Sequence, residues 1–363
     1  MNNNISDILN KNDLSKTDII ELLKADSVAT AEIIKFAGKI KSENVGNKVY
    51  YRGLIEFSNK CRKDCLYCGI RASNVKTERY DLSDEEILAA ANYAYLQNYA
   101  SIVLQGGERN NAKFVSRISE LIKKIKNLSN NNLGITLSLG EQSENVYREW
   151  FTNGAHRYLL RIESSDKDLY NKLHPNNNAH CYETRLEAIK TLKKIGFQTG
   201  TGVMIGTPFQ TIENLANDLL FFKQYDIDMV GMGPYIEHTE TPLYQFKDTL
   251  LPLKERFNLS IKMIAILRIM LKDINIAATT ALQAIDPVGR EKALKAGANI
   301  IMPNITPTQN RKNYLLYENK PCIDEQASDC NNCLEARIKM VGDSVAYGEW
   351  GDSVHFTKKG KNK

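Results

Sequence analysis

The sequence has no apolar run long enough to cross a bilayer, because no segment reaches the roughly 18 apolar residues that a membrane helix needs. Its first stretch, MNNNISDILNKNDLSK, also lacks the charged region and the apolar region of a secretory signal. The net charge is only +5 over 363 residues, and lysines are interspersed with acids, so no basic stripe indicates nucleic-acid binding. These absences predict a cytoplasmic protein that binds neither a membrane nor nucleic acid.

Cysteines are few, and their number, seven, is odd, which fits a disulfide framework poorly. In a cytoplasmic protein, clustered thiols are more often metal ligands or redox centres than disulfides. Three of the seven, Cys61, Cys65 and Cys68, fall within the stretch NKCRKDCLYCGIR. Their spacing is C-x3-C-x2-C, with Tyr67 directly before the last thiol. We call this stretch the thiol loop.

Segments typical of buried strands alternate with segments typical of helices from residue 50 onward. The strand-like runs are 51–58, 101–108, 134–140, 157–164, 198–208, 229–237, 275–282 and 299–304. The helical segments between them are 83–98, 113–128, 144–154, 182–196, 211–226, 258–273 and 287–297. The runs are continuously apolar, as expected for parallel strands buried on both faces. This order predicts an α/β fold with a closed (β/α)8 barrel of the TIM type, with an open doubly wound sheet as the alternative.

The barrel divides the chain into three predicted parts. Residues 1–49 form an N-terminal helical segment, residues 50–305 form the barrel, and residues 306–363 form a C-terminal extension. Ser15 is a good N-cap for one of the first helices. Active sites of such barrels lie at the carboxyl ends of the strands. The thiol loop directly follows the first strand, so it lies where chemistry is expected.

Three thiolates bind three of the four irons of a 4Fe–4S cluster. The fourth iron then lacks a protein ligand, and an open coordination position is how metal sites hold a substrate or cofactor. The alternative is a structural zinc site, which needs a fourth Cys or His nearby. The next histidine in the sequence is His156. The thiol loop therefore predicts a 4Fe–4S cluster with a small molecule on its open iron.

A C-x3-C-x2-C loop after the first strand of a barrel resembles the radical S-adenosylmethionine (SAM) superfamily. The resemblance implies that Cys61, Cys65 and Cys68 hold the catalytic 4Fe–4S cluster and that SAM binds its open iron. It further implies reductive cleavage of SAM to methionine and a 5′-deoxyadenosyl radical, with ferredoxin or flavodoxin as the reductant.

Further stretches resemble the SAM-binding segments of the superfamily. The cofactor-binding residues implied by this resemblance are Tyr67, Gly106, Gly107, Glu108, Arg161, Glu163, Arg185 and Met232. Glu163 is expected at the ribose or amino group, Arg185 at the carboxylate, and Met232 or Tyr235 at the adenine. Period-two spacing also places Arg157, Arg161 and Glu163 on the inner face of strand four. A purely structural Arg–Glu pair is the alternative for that strand.

Longer segments, including RGLIEFSNKCRKDCLYCGIR and GANIIMPNITP, resemble the HydE family of FeFe-hydrogenase maturases, in the biotin synthase–like group. The resemblance implies maturation of the diiron active site through radical attack on a sulfur of a cysteine-bound iron carbonyl–cyanide precursor. HydG is the implied source of that precursor, and HydF the implied acceptor of the product. The implied substrate-cavity residues are Arg157, Thr279, Thr280, Tyr314 and Tyr317.

The C-terminal extension carries a second group of thiols. Cys322, Cys330 and Cys333 have the spacing C-x7-C-x2-C, which resembles an accessory cluster motif found in many HydE proteins. The resemblance implies a second iron–sulfur cluster there, either 2Fe–2S or 4Fe–4S. A small zinc site and free thiols are the alternatives.

Two positions depart from the family pattern: Gly106 stands where a serine is expected, and Ile162 stands where a histidine often precedes the glutamate. The enzyme alternatives are a methylornithine synthase–like radical SAM mutase and a HydE-like enzyme acting on another thiol substrate. Biotin synthase would need cysteines within strands two to seven, and the predicted strands hold none. The alternative of another class is a non-catalytic iron–sulfur electron carrier or scaffold.

Overall fold

The structure is a computed structural model that describes residues 5–325 and 327–361, with side chains described for residues 5–325 and 333–360. Its α-helices are α1 (Ile5–Leu9), α2 (Lys16–Lys24), α3 (Ser27–Asn44), α4 (Asp84–Leu96), α5 (Ala112–Leu128), α6 (Glu144–Thr152), α7 (Lys167–Leu173), α8 (Tyr182–Ile195), α9 (Ile212–Gln224), α10 (Leu253–Met270), α11 (Thr280–Ile285), α12 (Gly289–Lys295), α13 (Thr308–Arg311), α14 (Ala327–Met340) and α15 (Val354–Lys361). Two 3-10 helices span Asn178–His180 and Pro242–Thr249. None of the helices in the described ranges combines the length and apolar character of a membrane span.

The strands form a closed barrel. They are β1 (Lys48–Tyr51), β2 (Gly53–Ser58), β3 (Ser101–Gly106), β4 (Gly134–Ser138), β5 (Arg157–Leu159), β6 (Gln198–Thr201), β7 (Met204–Ile205), β8 (Met229–Val230), β9 (Gly233–Pro234), β10 (Asn275–Ile276), β11 (Ile300–Ile301) and β12 (Ser344–Val345). Strands β2, β3, β4, β5, β6, β8 and β10 pair in that order, all in parallel, and β1 pairs with β11. The ring closes where the Leu54 N–H donates to Pro303 O at 2.7 Å and the Ala278 N–H donates to Ile300 O at 2.9 Å. The predicted closed (β/α)8 barrel is confirmed, while the exact part boundaries at residues 49 and 305 stay predictions.

Helix starts follow local capping chemistry that the sequence already carries. At α2, the Ser15 hydroxyl accepts the Asp18 N–H at 3.2 Å, and the Asp18 carboxylate accepts the Ser15 N–H at 2.9 Å. Ser83 and Glu86 repeat this reciprocal arrangement at α4. Each of these reciprocal arrangements, called a capping box, satisfies two backbone N–H groups that would otherwise lack a partner at the start of the helix. The predicted cap at Ser15 is confirmed.

Several strands end earlier than the sequence predicts. The run 198–208 splits into β6 and β7, and the run 229–237 splits into β8 and β9. The two breaks pack closely against each other. A Cβ on Gly202 would lie only 1.9 Å from the carbonyl oxygen of Gly231. The strand predicted over residues 275–282 is also wrong in its second half, because β10 ends at Ile276 and α11 begins at Thr280. Its β-branched residues are typical of a strand, but the chain turns there around the barrel mouth.

The C-terminal extension forms the floor of the barrel, at the amino ends of the strands. Strand β12 pairs with β1 in parallel. Fully buried Arg157, the first residue of β5, donates to Asp352 Oδ1 from Nε at 3.0 Å and from Nη2 at 2.7 Å. Its Nη1 donates to Ser101 Oγ at 2.7 Å. Arg52 Nη2 donates to the carbonyl of Gly351 at 3.2 Å. The expected substrate role of Arg157 is therefore wrong, because period-two spacing fixes the face of a strand but not the height along it.

Candidate active site

One cavity of about 370 Å³ lies at the carboxyl ends of the barrel strands. It brings together most residues that the sequence singled out, from elements far apart in the chain. The predicted residues that line it are Cys61, Cys65, Tyr67, Cys68, Gly106, Gly107, Glu108, Arg161, Glu163, Arg185, Thr279, Thr280, Tyr314 and Tyr317. Arg157 and Met232 are not among them. A volume of this size lies in the range of small-molecule sites.

The thiol loop is held against the end of β3. Cys61 Sγ accepts the backbone N–H of Lys63 at 3.4 Å and of Glu108 at 3.3 Å. At Gly107, a Cβ would lie 2.5 Å from the carbonyl oxygen of Lys60 and 2.8 Å from Cβ of Cys61. Glycine is therefore required there for the two backbones to approach.

Gly107→Ala is expected to displace the thiol loop and to lower cluster loading, because its new methyl group would collide with backbone. The matched control is Gly106→Ala, whose methyl group would come no closer than 3.1 Å to the Phe57 ring and 3.4 Å to the Ser58 carbonyl oxygen. Iron and sulfide content after anaerobic reconstitution, with the visible absorption of the cluster, measures the difference. Equal loading of the two variants would contradict this account of Gly107.

Among the described residues, the three thiols line the cavity without a fourth Cys or His beside them. Burial raises the pKa of Cys61, raises that of Cys65 to about 12 and, together with the neighbouring thiols, raises that of Cys68 well above its ordinary value. Such thiols ionise only beside a compensating positive charge, as a metal centre provides. In the described part of the chain, no three Cys, His, Asp or Glu side chains converge to hold a single metal ion. A 4Fe–4S cluster fits this arrangement, because each thiolate binds a different iron.

Two histidines that the sequence analysis did not consider contact the thiol loop. His180 Nε2 accepts the Asp64 N–H at 2.9 Å, and His174 Nε2 lies 3.3 Å from the Tyr67 hydroxyl. Burial lowers the pKa of His174 to about 3 and that of His180 to about 4, so both rings are neutral. Neither ring lines the cavity. They hold the loop in shape and do not complete a zinc site.

Glu141 is a buried carboxylate that organises the cations of the site, and the sequence analysis missed it. Its two oxygens accept from Lys63 Nζ at 2.7 Å and from Arg185 Nε at 2.5 Å. Burial alone would raise the pKa of Glu141, but Arg185 and Lys63 outweigh burial and hold the pKa below its ordinary value. The sequence could have indicated Glu141 through its position just after β4 and Gly140, because polar residues at strand ends line the active sites of barrels.

Arg161 and Glu163 form a bidentate pair inside the cavity. Arg161 Nε and Nη2 donate to the two Glu163 oxygens at 2.8 and 2.9 Å, and Arg161 Nη1 donates to Gly231 O at 2.6 Å. Glu163 has a φ of +65°, a left-handed conformation that non-glycine residues seldom adopt. Such strained positions concentrate at functional sites.

Comparison with known proteins identifies this arrangement. The model of the radical SAM superfamily matches residues 55–222. The FeFe-hydrogenase maturase subunit HydE of Thermotoga maritima is 44% identical over 319 residues, which cover 88% of both chains. The chain belongs to the HydE family of radical SAM proteins. It is therefore a radical SAM enzyme that uses a 4Fe–4S cluster and SAM.

Other proteins are similar to this chain in sequence or in fold. The 3-methylornithine synthase of Methanosarcina acetivorans is 30% identical over 307 residues, which cover 83% of both chains. The solved structure of methylornithine synthase (PylB) superimposes with a TM-score of 0.79 at 24% identity, covering 95% of this chain and 97% of that one. A HydG structure superimposes with a TM-score of 0.78 at 19% identity, covering 94% and 75% of the two chains. These two superpositions show the shared fold.

The chain's own residues prepare the site for the cofactors of this family. Cys61, Cys65 and Cys68 would hold three irons of the 4Fe–4S cluster, which together with SAM supplies a 5′-deoxyadenosyl radical. Gly107 keeps the end of β3 against the thiol loop, and Glu141 fixes the positions of Lys63 and Arg185. Arg185 Nη1 also donates to the Arg161 carbonyl at 2.6 Å. The cationic groups are thus arranged before any ligand enters.

The two departures from the HydE pattern differ in their relation to the cavity. Gly106 lines it, and Ile162 is fully buried in the hydrophobic core. Met232 is likewise fully buried in the core, so its expected place at the adenine is wrong, whereas its alternative, Tyr235, lines the cavity. Gly231 and Gly233 line the cavity instead, because alternate residues of an extended chain face opposite sides.

The cavity has a second wall, made by Thr279, Thr280, Tyr314, Tyr317 and Lys320, which we call the C-terminal wall. Thr280 Oγ1 and the Tyr317 hydroxyl lie 2.9 Å apart, within hydrogen-bond distance. The Tyr314 hydroxyl accepts from Gln105 Nε2 at 3.3 Å. The predicted threonines and tyrosines are thus brought to one surface, and the sequence analysis missed Lys320.

Of the accessory cysteines, Cys322 and Cys333 do not line this cavity. Cys322 is partly buried with a φ of +63°, and Cys333 is exposed on α14. Cys330 belongs to the same helix, but its side chain lies outside the described residues. A second iron–sulfur cluster at these cysteines stays a prediction.

Proposed function

We propose that this enzyme matures the diiron active site of FeFe-hydrogenase. In the proposed reaction, the 5′-deoxyadenosyl radical attacks a sulfur of a cysteine-bound iron carbonyl–cyanide precursor. The similarity to the HydE subunit, 44% identity over 88% of both chains, carries the proposal. The corresponding identity to a methylornithine synthase is 30%. A HydG-type enzyme would supply the precursor, HydF would receive the product, and ferredoxin or flavodoxin would donate the electron.

The shape of the cavity supports a reaction between SAM and a second small molecule. The thiols, Arg161, Glu163 and Arg185 line the cavity together with the C-terminal wall. The C-terminal wall presents hydroxyl groups, which suit a polar substrate. The spacing of Cys322, Cys330 and Cys333 also supports the proposal, because many HydE proteins are expected to carry such a motif.

The test uses anaerobically reconstituted protein with a chemical reductant, SAM and the synthetic cysteine-bound iron carbonyl–cyanide complex. We expect 5′-deoxyadenosine formation to depend on the complex and a new iron-centred paramagnetic signal to appear. The control replaces the complex with lysine, a methylornithine-type substrate. SAM cleavage that responds to lysine but not to the complex would overturn the maturase in favour of the mutase. No cleavage by protein with an intact cluster would favour an electron carrier or scaffold.

A further inference from the structure

A buried ion pair supports the C-terminal wall of the cavity. Lys320 Nζ lies 2.5 Å from Glu56 Oε1, and the two side chains are only 5% and 2% exposed. Both residues line the cavity. The other Glu56 oxygen accepts from Asn304 Nδ2 at 3.0 Å, and the Glu56 N–H donates to Thr306 Oγ1 at 2.8 Å. Glu56 lies on β2, five positions before Cys61, and its hydrogen bonds fix its position on that strand.

Lys320 holds Tyr314 from two sides. Its Nζ donates to the Tyr314 carbonyl at 2.9 Å and lies 5.0 Å from the centre of the Tyr314 ring. The second distance is typical of a cation–π contact. The ammonium is thus anchored on Glu56 and fixes both the backbone and the ring of Tyr314. Loss of the ammonium would release both.

The segment of residues 314–320 also contacts the thiol loop. The Gly69 N–H, next to Cys68, donates to the Leu316 carbonyl at 3.0 Å. The Tyr314 hydroxyl reaches Gln105, which directly precedes Gly106 and Gly107 at the end of β3. The position of residues 314–320 therefore sets the distance between the C-terminal wall and the residues packed on Cys61.

We propose that Lys320 is a positioning residue for the second substrate: anchored on Glu56, it holds Tyr314 and residues 314–320 in the conformation that receives an anionic substrate. This inference rests on the proposed function for the identity of that substrate. Its physical basis is independent of the substrate, because Lys320 Nζ contacts both the carbonyl and the ring of Tyr314. A buried ion pair is by itself weak evidence for a role in stability alone.

The experiment compares Lys320→Met with a matched control, Lys41→Met. Lys41 also forms a buried pair, 2.5 Å from Asp343 with side chains 4% and 8% exposed, and it also donates to a carbonyl, that of Leu294. The Lys41–Asp343 pair lies outside the cavity lining. A double variant, Lys320→Met with Glu56→Gln, removes both charges and avoids leaving a lone buried carboxylate. Thermal unfolding, backbone hydrogen exchange, and KM and kcat for the iron complex are measured for all variants.

We expect both Lys320 variants to speed hydrogen exchange in residues 311–325 and to raise KM for the iron complex about tenfold or more, as loss of a charged hydrogen bond does. Lys41→Met should lower thermal stability and leave KM unchanged. An unchanged KM in the double variant, or an equal rise in Lys41→Met, would overturn the proposal. If the wild-type protein ignores the complex, the proposed function fails, and the exchange measurement alone decides whether Lys320 holds the segment.

Discussion

Replacing Cys65 with alanine is expected to lower 5′-deoxyadenosine formation by at least about 10³-fold, because it removes the catalytic group rather than weakening it. Cys65 lines the cavity between Cys61 and Cys68, and no further Cys or His lines the cavity in the described part of the chain. No neighbouring thiol can therefore replace it. The variant should fold, since the substitution removes one sulfur from a cavity wall and leaves the barrel strands unchanged.

The matched control is Cys181→Ala. Cys181 is a partly buried thiol at the start of α8 whose Sγ lies 3.3 Å from a Glu183 oxygen, outside the cavity lining. Its loss should change neither the cluster absorption nor the cleavage rate. Iron content, visible absorption and product formation are measured on both variants under anaerobic conditions. Cleavage by Cys65→Ala at a rate near that of Cys181→Ala would disprove the assigned donor set.

The largest expected effect on stability comes from Asp352→Ala, at about 3 kcal/mol in the free energy of unfolding. The carboxylate of Asp352 accepts from fully buried Arg157, from Gln198 Nε2 at 2.8 Å and lies 3.3 Å from His156 Nε2. Its removal leaves the Arg157 guanidinium buried without a counter-charge, which is costly in proteins. Asp352→Asn should cost less, because the amide oxygen still accepts hydrogen bonds.

This effect should depend on pH in a defined direction. Burial alone would raise the pKa of Asp352, but the His156 hydrogen bond and the charge of Arg157 outweigh burial and hold the pKa well below its ordinary value of about 4. The contribution to stability is therefore present above about pH 4 and is lost as the pH falls through the folded-state pKa. The difference in stability between the wild type and Asp352→Ala should narrow below pH 4.

Chemical unfolding across this pH range measures the difference, with Glu349→Ala as the control from the same segment. The Lys48–Glu349 pair is exposed on both sides, with side chains 52% and 44% accessible, so its loss should have no measurable effect. An equal loss of stability in the two variants would show that the extension as a whole, and not the buried carboxylate, is responsible.

The sequence predicted the parts of the site that depend on local motifs. The thiol loop and residues 105–108, with the sequence QGGE, each lie at the carboxyl end of one strand. The barrel topology alone therefore brings them together. The position of a side chain along its strand was predicted less well than the presence of the strand. Arg157 lies on the floor because it begins β5, and Met232 faces the core because the cavity takes Gly231 and Gly233.

The partners of the buried charges could not be predicted in the same way. Lys63 and Glu141 are 78 residues apart in the chain, and Glu56 and Lys320 are 264 apart. No local pattern reports which carboxylate a lysine will meet across the barrel, since the pairing depends on side-chain packing after the ring has closed. Lys320 in particular lies in a polar stretch, YENKPC (residues 317–322), whose composition is typical of a loop.

The floor of the barrel has a consequence for the order in which the protein is made. Strand β1 begins at Lys48 but pairs with β12 at Ser344, and Arg157 finds its counter-charge only at Asp352. A chain emerging from the ribosome from its N-terminus must therefore extend beyond residue 352 before β1 gains its β12 neighbour and Arg157 gains its counter-charge. The floor of the barrel is completed only after residue 352 has been made.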